Sequence, residues 1–597
     1  MDTRRLIVLL IFIFSGYLLL QNWQDFQHKK NNPQISQNLQ NSQNSQNSQN
    51  SQNSQIANTN SANKNLPEIS QRIAENQLLS DTLEANDAPN SIKNNQNLVE
   101  NAQKFVVKTN LYQATFSTKG GSLVEMSLLN YHNDENDPQK PLLYFDPKHS
   151  YAAQSGLISD GSIADLPTHN TIFKLENENL GNEFDISANN AKPLQIVLTA
   201  PNPNNPNLTI RKILTFSNDD YVIKTRWEVN QNITNKIQAY YQLQRDNQKP
   251  DSDILMSSTF TGPAIYTDAE KYQKIDFADI DNGKAKYAKS ADNGWIAMVQ
   301  HYFVSAWVTN PNQNLERDFY VKKINQNLYR IGFIVGFPQN SNALEMPLYV
   351  GPQEQSRLEK LNEHLPLVVD YGWLTFIAKP LFWLLQFFYD LVGNWGWAII
   401  LMTLAIKLVF FPLSASSYKS MAKMRVVMPR MQQLKDRYGD DRQKLSQEMM
   451  KLYQSEKINP LGGCLPILIQ IPVFLALYWV LLGAVEMYGA PWIGWITNLV
   501  APDPYFVLPL LFLLSMVIQM KLNPTPTDPV QAKVMMILPF IFSVMFIFFP
   551  AGLVLYWVVN NFLSIAQQWY ITKHIVDASP SDVAVSKKLQ KSKAAND

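Results

Sequence analysis

MTLAIKLVFFP, Met402 to Pro412, is as apolar as a lipid tail except at one residue, Lys407. It closes the first of five apolar blocks, at about 396–413, 465–485, 505–520, 534–549 and 553–571, each close to the length a helix needs to cross a hydrocarbon core. A sixth block, Leu6–Leu20, follows Arg4 and Arg5 and ends before Trp23. No small-x-small cleavage site follows it, so residues 1–23 read as an uncleaved anchor with a cytoplasmic basic end. Across 597 residues the 51 bases and 50 acids nearly cancel, which gives no general nucleic-acid footprint and no sign of sequence-specific recognition. The chain therefore reads as a multidomain polytopic membrane protein.

Outward from these blocks the composition changes sharply. Residues 24–104 are polar and low in complexity and hold the tract QNSQNSQNSQNSQ, which has no aliphatic side chain and cannot offset the entropy of ordering, so the segment reads as a tether. A flexible coil of roughly 80 residues spans on the order of 50 Å. From 105 to 352 short alternating runs appear: Tyr112, Ala114 and Phe116 share one face, as do Tyr221, Ile223, Trp227 and Val229. TFSNDDY, Thr215–Tyr221, joins two such runs through turn-forming residues, so neighbouring strands are expected as hairpins in a large antiparallel β domain.

Residues 353–395 follow as a linker and an aromatic amphipathic helix, expected to lie at the membrane interface and to be broken at Pro380; the alternative is another span. The helical core is 396–572. Its segment 414–464 reads as a cytoplasmic helical hairpin, with Gly439 ending one helix and Asp440 with Gln443 capping the next. Met421, Met424, Met428 and Met431 recur on one face, either as the seam between the two helices or as a soft partner surface; the seam is the simpler reading. Residues 414–460 carry ten Lys/Arg against five Asp/Glu, whereas 489–504 carries no Lys or Arg. The positive-inside rule then places both termini, including the basic tail 573–597, in the cytoplasm and the β domain outside it. The single cysteine, Cys464, excludes an intrachain disulfide and reads as a reduced structural residue.

Lys407 lies about six residues, roughly 9 Å, from the cytoplasmic end of its block, within reach of snorkelling. The rival reading is a charge facing a wet groove. The last block favours the groove, because Asn560, Ser564 and Gln567 fall on one face at i, i+4 and i+7. Thr403, Gln470 and Gln519 add polar groups toward the same side, although interhelical hydrogen bonding alone can account for part of the stripe. There is no phosphate-binding loop, no HExxH pair and no GxSxG turn, and no histidine lies in a spanning block, so neither cofactor nor metal is expected.

INPLGGCLPILIQIPVFLALYWVL, SMAKMRVVMP, TDPVQAK and FPAGLVLYWVVNN closely resemble the YidC membrane protein insertases of Gram-negative bacteria. The resemblance extends through GWIAMVQHYFVSAW, LYVGP and DYGWLTFIAKPLFWLLQFFYDLVGNWGW, covering about residues 100–575 but not the tether. It implies a periplasmic β-supersandwich, an interfacial helix and a five-helix insertase core, joined to the N-terminal anchor, in the bacterial inner membrane. The core surrounds a groove that is open to cytoplasm and lipid and closed toward the periplasm. The family's groove charge falls on Lys407 where an arginine is expected, which keeps the charge and loses the planar donor fork. Its tyrosine pair falls on Tyr556 and Trp557, and its cytoplasmic delivery face on Tyr418 and Asp528. The implied activity is insertion and folding of nascent membrane proteins, with no chemical step. The implied partners are the SecYEG translocon, the ribosome, the signal-recognition targeting machinery and membrane lipids. A small-molecule or ion transporter with a periplasmic receptor domain is the alternative, although no internal repeat supports it. A sugar-active enzyme, suggested by likeness of the β domain to mutarotase folds, rests on fold alone. His301 reads as a structural residue.

Overall fold

The computed structural model describes residues 102–573 apart from 133–139, 160–162, 164, 177–180, 188–191, 201–206, 232–235, 249–259, 310–313, 440, 457–464 and 524–528. The anchor 1–23, nearly all of the tether, Cys464, Asp528 and the tail beyond Lys573 lie outside the described residues. Residues 275–286, with the short helix α1 (Phe277–Asp281), separate as a unit from the body formed by the rest of the described chain.

In that body the β runs build two sheets. The first contains, side by side, β14 (Ser290–Ala291), β17 (Arg317–Lys323), β18 (Leu328–Gly336), β11 (Ile237–Asp246), β5 (Ala152–Ser159), β3 (Ser122–His132), β2 (Tyr112–Ser117), β1 (Lys104–Lys108) and β7 (Glu183–Asp185), with β4 (Pro141–Phe145) paired on β3. The second runs β13 (Lys271–Lys274), β12 (Gly262–Thr267), β15 (Trp295–Val299), β16 (Phe303–Trp307), β19 (Ala343–Pro352), β10 (Val222–Val229), β9 (Ile210–Phe216), β8 (Leu194–Ala200) and β6 (Lys174–Leu175). Pairing is antiparallel except between β1 and β7. The hairpin expected around TFSNDDY joins β9 to β10, with Phe216 opposite Ile223 and Asp220 accepting from the Val222 amide at 3.2 Å.

Strand alternation turns one row of side chains toward the other sheet: Tyr112, Ala114 and Phe116 are buried, and the Phe116 ring meets Phe216 across the gap at 5.5 Å. The same period buries Tyr221, Ile223, Trp227 and Val229. By contrast β12, β15 and β16 are buried along their whole length, as expected where both faces of a sheet are covered. Gly156 on β5 lies opposite Tyr240 on β11, and a Cβ there would stand 2.3 Å from the Tyr240 hydroxyl. That hydroxyl is fixed by His169 Nδ1 at 2.7 Å, so the ring cannot easily yield. Gly156→Ala is therefore expected to cost about 1–3 kcal/mol. Faster limited proteolysis of the β domain within the full chain would report the loss; an unchanged rate would show that the ring moves aside.

After β19 come α2 (Gln355–Leu361) and α3 (Thr375–Val392). Pro380 does not break α3, contrary to the sequence expectation: it removes one bond to the Phe376 carbonyl near the helix start, and the helix runs on. A buried stripe of Ala378, Leu381, Phe382 and Leu385 holds it against its neighbours, while Trp373, Phe376, Trp383, Phe387 and Leu391 remain exposed on and just before it.

The remaining helices are α4 (Trp395–Val409), α5 (Phe411–Tyr438), α6 (Arg442–Ser455), α7 (Leu465–Gly483), α8 (Val507–Leu522), α9 (Pro529–Phe546) and α10 (Ala551–Ile571). The block expected as one span at 396–413 is bent: α4 meets the start of α5 at 66°, where Pro412 cannot continue the bond ladder and its ring would strike the preceding turn. By length and hydropathy no single described helix passes as a membrane span alone, whereas this bent pair passes together. The hairpin of α5 and α6 buries Val427 and Met431 against Met424, Met449, Leu452 and Tyr453, so Met424 and Met431 of the methionine face lie in the seam. Asp441, rather than Asp440, caps α6 by accepting from the Lys444 amide at 3.0 Å. A cap lies three residues before the amide it serves, and α6 begins at Arg442. Gly439 ends α5 in an ordinary right-handed conformation.

At the end of the bundle nearest the β domain, short loops lock the helices together. Asn394 caps α4 and donates to the Pro491 and Trp492 carbonyls, each at 3.1 Å. The Ala551 and Gly552 amides that start α10 donate to Ala501 and Leu499. Asp503, buried, accepts from the Leu508 and Tyr505 amides and from the Trp495 indole.

Candidate functional site

α10 is the central element, packed on α4, α5 and α8. Its polar residues separate into two faces. On the first, Ser564 donates to the Asn560 carbonyl one turn back at 2.7 Å and receives the Lys407 ammonium of α4 at 2.8 Å. Gln567 donates at 3.2 Å to the Lys407 carbonyl, in the last turn of α4 where carbonyls lack helical partners. Gln470 of α7 donates to the Asn560 side chain at 2.8 Å, and the Tyr418 hydroxyl of α5 reaches the Ser564 carbonyl at 3.4 Å. Lys407, Gln470, Asn560, Ser564, Gln567 and Tyr418 thus meet in one cluster.

Lys407 is only 8% exposed, which turns it inward rather than out along the helix surface. Among the described residues no carboxylate pairs with it, and the Gln567 side-chain oxygen is buried without a partner. The cluster therefore holds a buried cation and an orphan acceptor, a pair suited to a transient anionic or peptide guest.

Four sequence candidates sit differently. Thr403 is buried but its hydroxyl donates to Ile399 in its own helix at 2.6 Å. Gln519, on α8, faces the second face of α10, donating to Gln568 at 2.9 Å. That seam also contains Asn561 bonded to Ser515 at 3.0 Å, and Gln568 donating to the Leu522 carbonyl and the Asn523 side chain. Sequence reasoning missed Asn561, Ser515 and Gln568; the i, i+7 spacing of Asn561 and Gln568 was the available signal. Tyr556 is only 2% exposed and stacks on Phe474, while half-buried Trp557 joins Phe474, Phe512 and Phe546. The expected aromatic surface is an interior cluster in this conformation. Asp528 lies outside the described residues.

α9, packed on α8, is exposed around most of its circumference, with Met536, Ile537, Phe540, Ile541 and Val544 each at least 47% accessible. So large an apolar surface fits lipid or an apolar partner segment rather than water. Among the described residues no group of three or more potential metal ligands converges.

Residues 104–384 match the family described as YidC periplasmic domain, and residues 387–578 match 60Kd inner membrane protein. A protein of Dechloromonas aromatica called membrane protein insertase YidC is 50% identical over 97% of this chain and 98% of its own length. One of the same name from Aromatoleum aromaticum is 53% identical over 79% of this chain and 85% of its own. A crystal structure of an active YidC insertase, with its first transmembrane domain resolved, aligns with 78% of this chain and 92% of that one at 17% identity. Its TM-score of 0.35 is too low to carry any detail.

Proposed function

We propose, for a chain that belongs to the YidC family of membrane protein insertases and so inserts membrane proteins, that it does so by receiving a client's polar tail at Lys407. The observation that carries this reading is the buried Lys407 ammonium, held by Ser564 and without a carboxylate partner among the described residues. A polar tail crossing an apolar core leaves peptide groups unpaired at several kcal/mol each. A polar half-path shortens that crossing. Acidic groups of the tail are drawn toward Lys407, the orphan Gln567 oxygen and the Asn560 and Gln470 amides exchange partners with it, and the adjoining apolar segment passes into lipid along α7 and α9. Departure of the tail completes insertion without a chemical step, and the membrane potential acts with about 2.3 kcal/mol per charge per 100 mV.

The proposed setting is the bacterial inner membrane, with both termini and the α5–α6 hairpin cytoplasmic and the β domain periplasmic. In that setting 1–23 anchors the chain and 24–104 tethers the β domain. Delivery by the ribosome and signal-recognition machinery, and cooperation with SecYEG, belong to the same proposal.

A photo-crosslinking residue placed at Gln567 is expected to capture an acidic client tail during insertion, whereas one at Gln519 on the opposite seam is expected to capture little. Equal capture at both positions, or none at Gln567 with insertion intact, would remove the tail from this cluster.

A further inference from the structure

The β domain and the helical bundle meet in a joint that the insertion path does not use. It is built on the last turn of α7 and the residues after it. His301, between β15 and β16, makes a 2.9 Å hydrogen bond to the Leu482 carbonyl through Nε2. Tyr488 donates to the His132 carbonyl at the end of β3, and its ring sits among Tyr131, Tyr302 and Phe303. Between these two contacts, Glu486 accepts from the Gln355 amide at the start of α2 at 3.2 Å.

Glu486 is unusual in this setting. Its second carboxylate oxygen is buried and has no partner. The neighbouring acid, Glu354, is already engaged, accepting from the Tyr131 hydroxyl at 3.1 Å and from Arg357 at 2.9 Å. Tyr371 takes the Gln355 side-chain amide at 2.7 Å and offers Glu486 no counter-charge. A carboxylate here would be a charge removed from water, half satisfied and beside a second carboxylate, whereas a carboxylic acid would be neutral.

We propose that Glu486 is a proton-controlled latch between the β domain and the helical bundle: with a proton on its free oxygen the two are docked, and loss of that proton loosens the joint. Burial, with Glu354 adding to it, raises the Glu486 carboxyl from 4.5 to about 7. The folded, docked form thus binds a proton that an exposed glutamate would release. Docking is therefore strongest near pH 4.5 and below, weakens as pH rises toward about 7, and levels off above it. Four other groups around the joint keep one protonation state across this window. Burial lowers His301 to about 4, so it is neutral. Tyr131 and Tyr371 are pushed up, chiefly by burial, and stay protonated. Arg357 is raised by its contacts with Glu354 despite burial and stays charged.

Hydrogen exchange of the full chain in lipid nanodiscs tests the latch. Protection of Gln355–Leu361 and Val485–Tyr488, corrected for the intrinsic pH dependence of exchange, is expected to fall about tenfold from pH 6 to pH 8.5. Strand β11 should stay protected throughout. Glu486→Gln, fixed in the neutral form, is expected to hold its protection across the range, and Glu354→Gln to move the wild-type transition to lower pH. A flat wild-type profile, the same fall in Glu486→Gln, or a transition unmoved by Glu354→Gln would each overturn the proposal.

Discussion

Lys407→Glu is expected to reduce insertion of a client with an acidic translocated tail by about tenfold or more, while a matched client with a neutral tail loses much less. Two unit charges about 4 Å apart at an effective dielectric near 20 interact by about 4 kcal/mol, and a tenfold rate change needs only about 1.4 kcal/mol. The substitution reverses the sign of that interaction at a position that is 8% exposed, where solvent screening is weak. The local fold can accommodate it, because the Ser564 hydroxyl that accepts from Lys407 can turn its one proton from the Asn560 carbonyl to a carboxylate. Lys407→Arg should be tolerated, since charge is retained, and Lys407→Ala should fall between the two. The measurement is insertion of both clients at equal insertase abundance. Equal, small effects on both clients would make Lys407 a membrane anchor and remove the electrostatic step.

Removing the α5–α6 hairpin, Lys419 to Lys457, is expected to abolish insertion while leaving the protein in the membrane. The hairpin closes on itself: Val427 and Met431 pack against Met449, Leu452 and Tyr453, and Arg430 pairs with Glu456 at 2.5 Å. Its loss should therefore spare the rest of the bundle, which is held by the loops near the β domain and the two seams of α10. What is lost is the basic surface proposed to receive the nascent chain. Membrane fractionation checks retention, and a client protease-protection assay checks insertion. Persistent insertion would move delivery to another part of the molecule.

The sequence by itself determined the elements and the faces of their side chains. Tyr112, Ala114 and Phe116 could be assigned to a buried face because a strand alternates every residue, whatever it packs against. Asn560, Ser564 and Gln567 could be placed on one stripe of α10 because 3.6 residues per turn is a local property. Tertiary structure alone decided which stripe faces which neighbour. It put Lys407 on Ser564, 157 residues away, and gave Gln519 to Gln568 instead of to that cluster. It turned Thr403 back on its own helix, folded Tyr556 inward against Phe474, and brought Glu486 to the Gln355 amide across 131 residues of chain. Periodicity fixes the direction of a side chain around its own axis, but the partner it meets depends on how separate helices and sheets pack. That packing is set by the summed burial of all their faces rather than by any one segment.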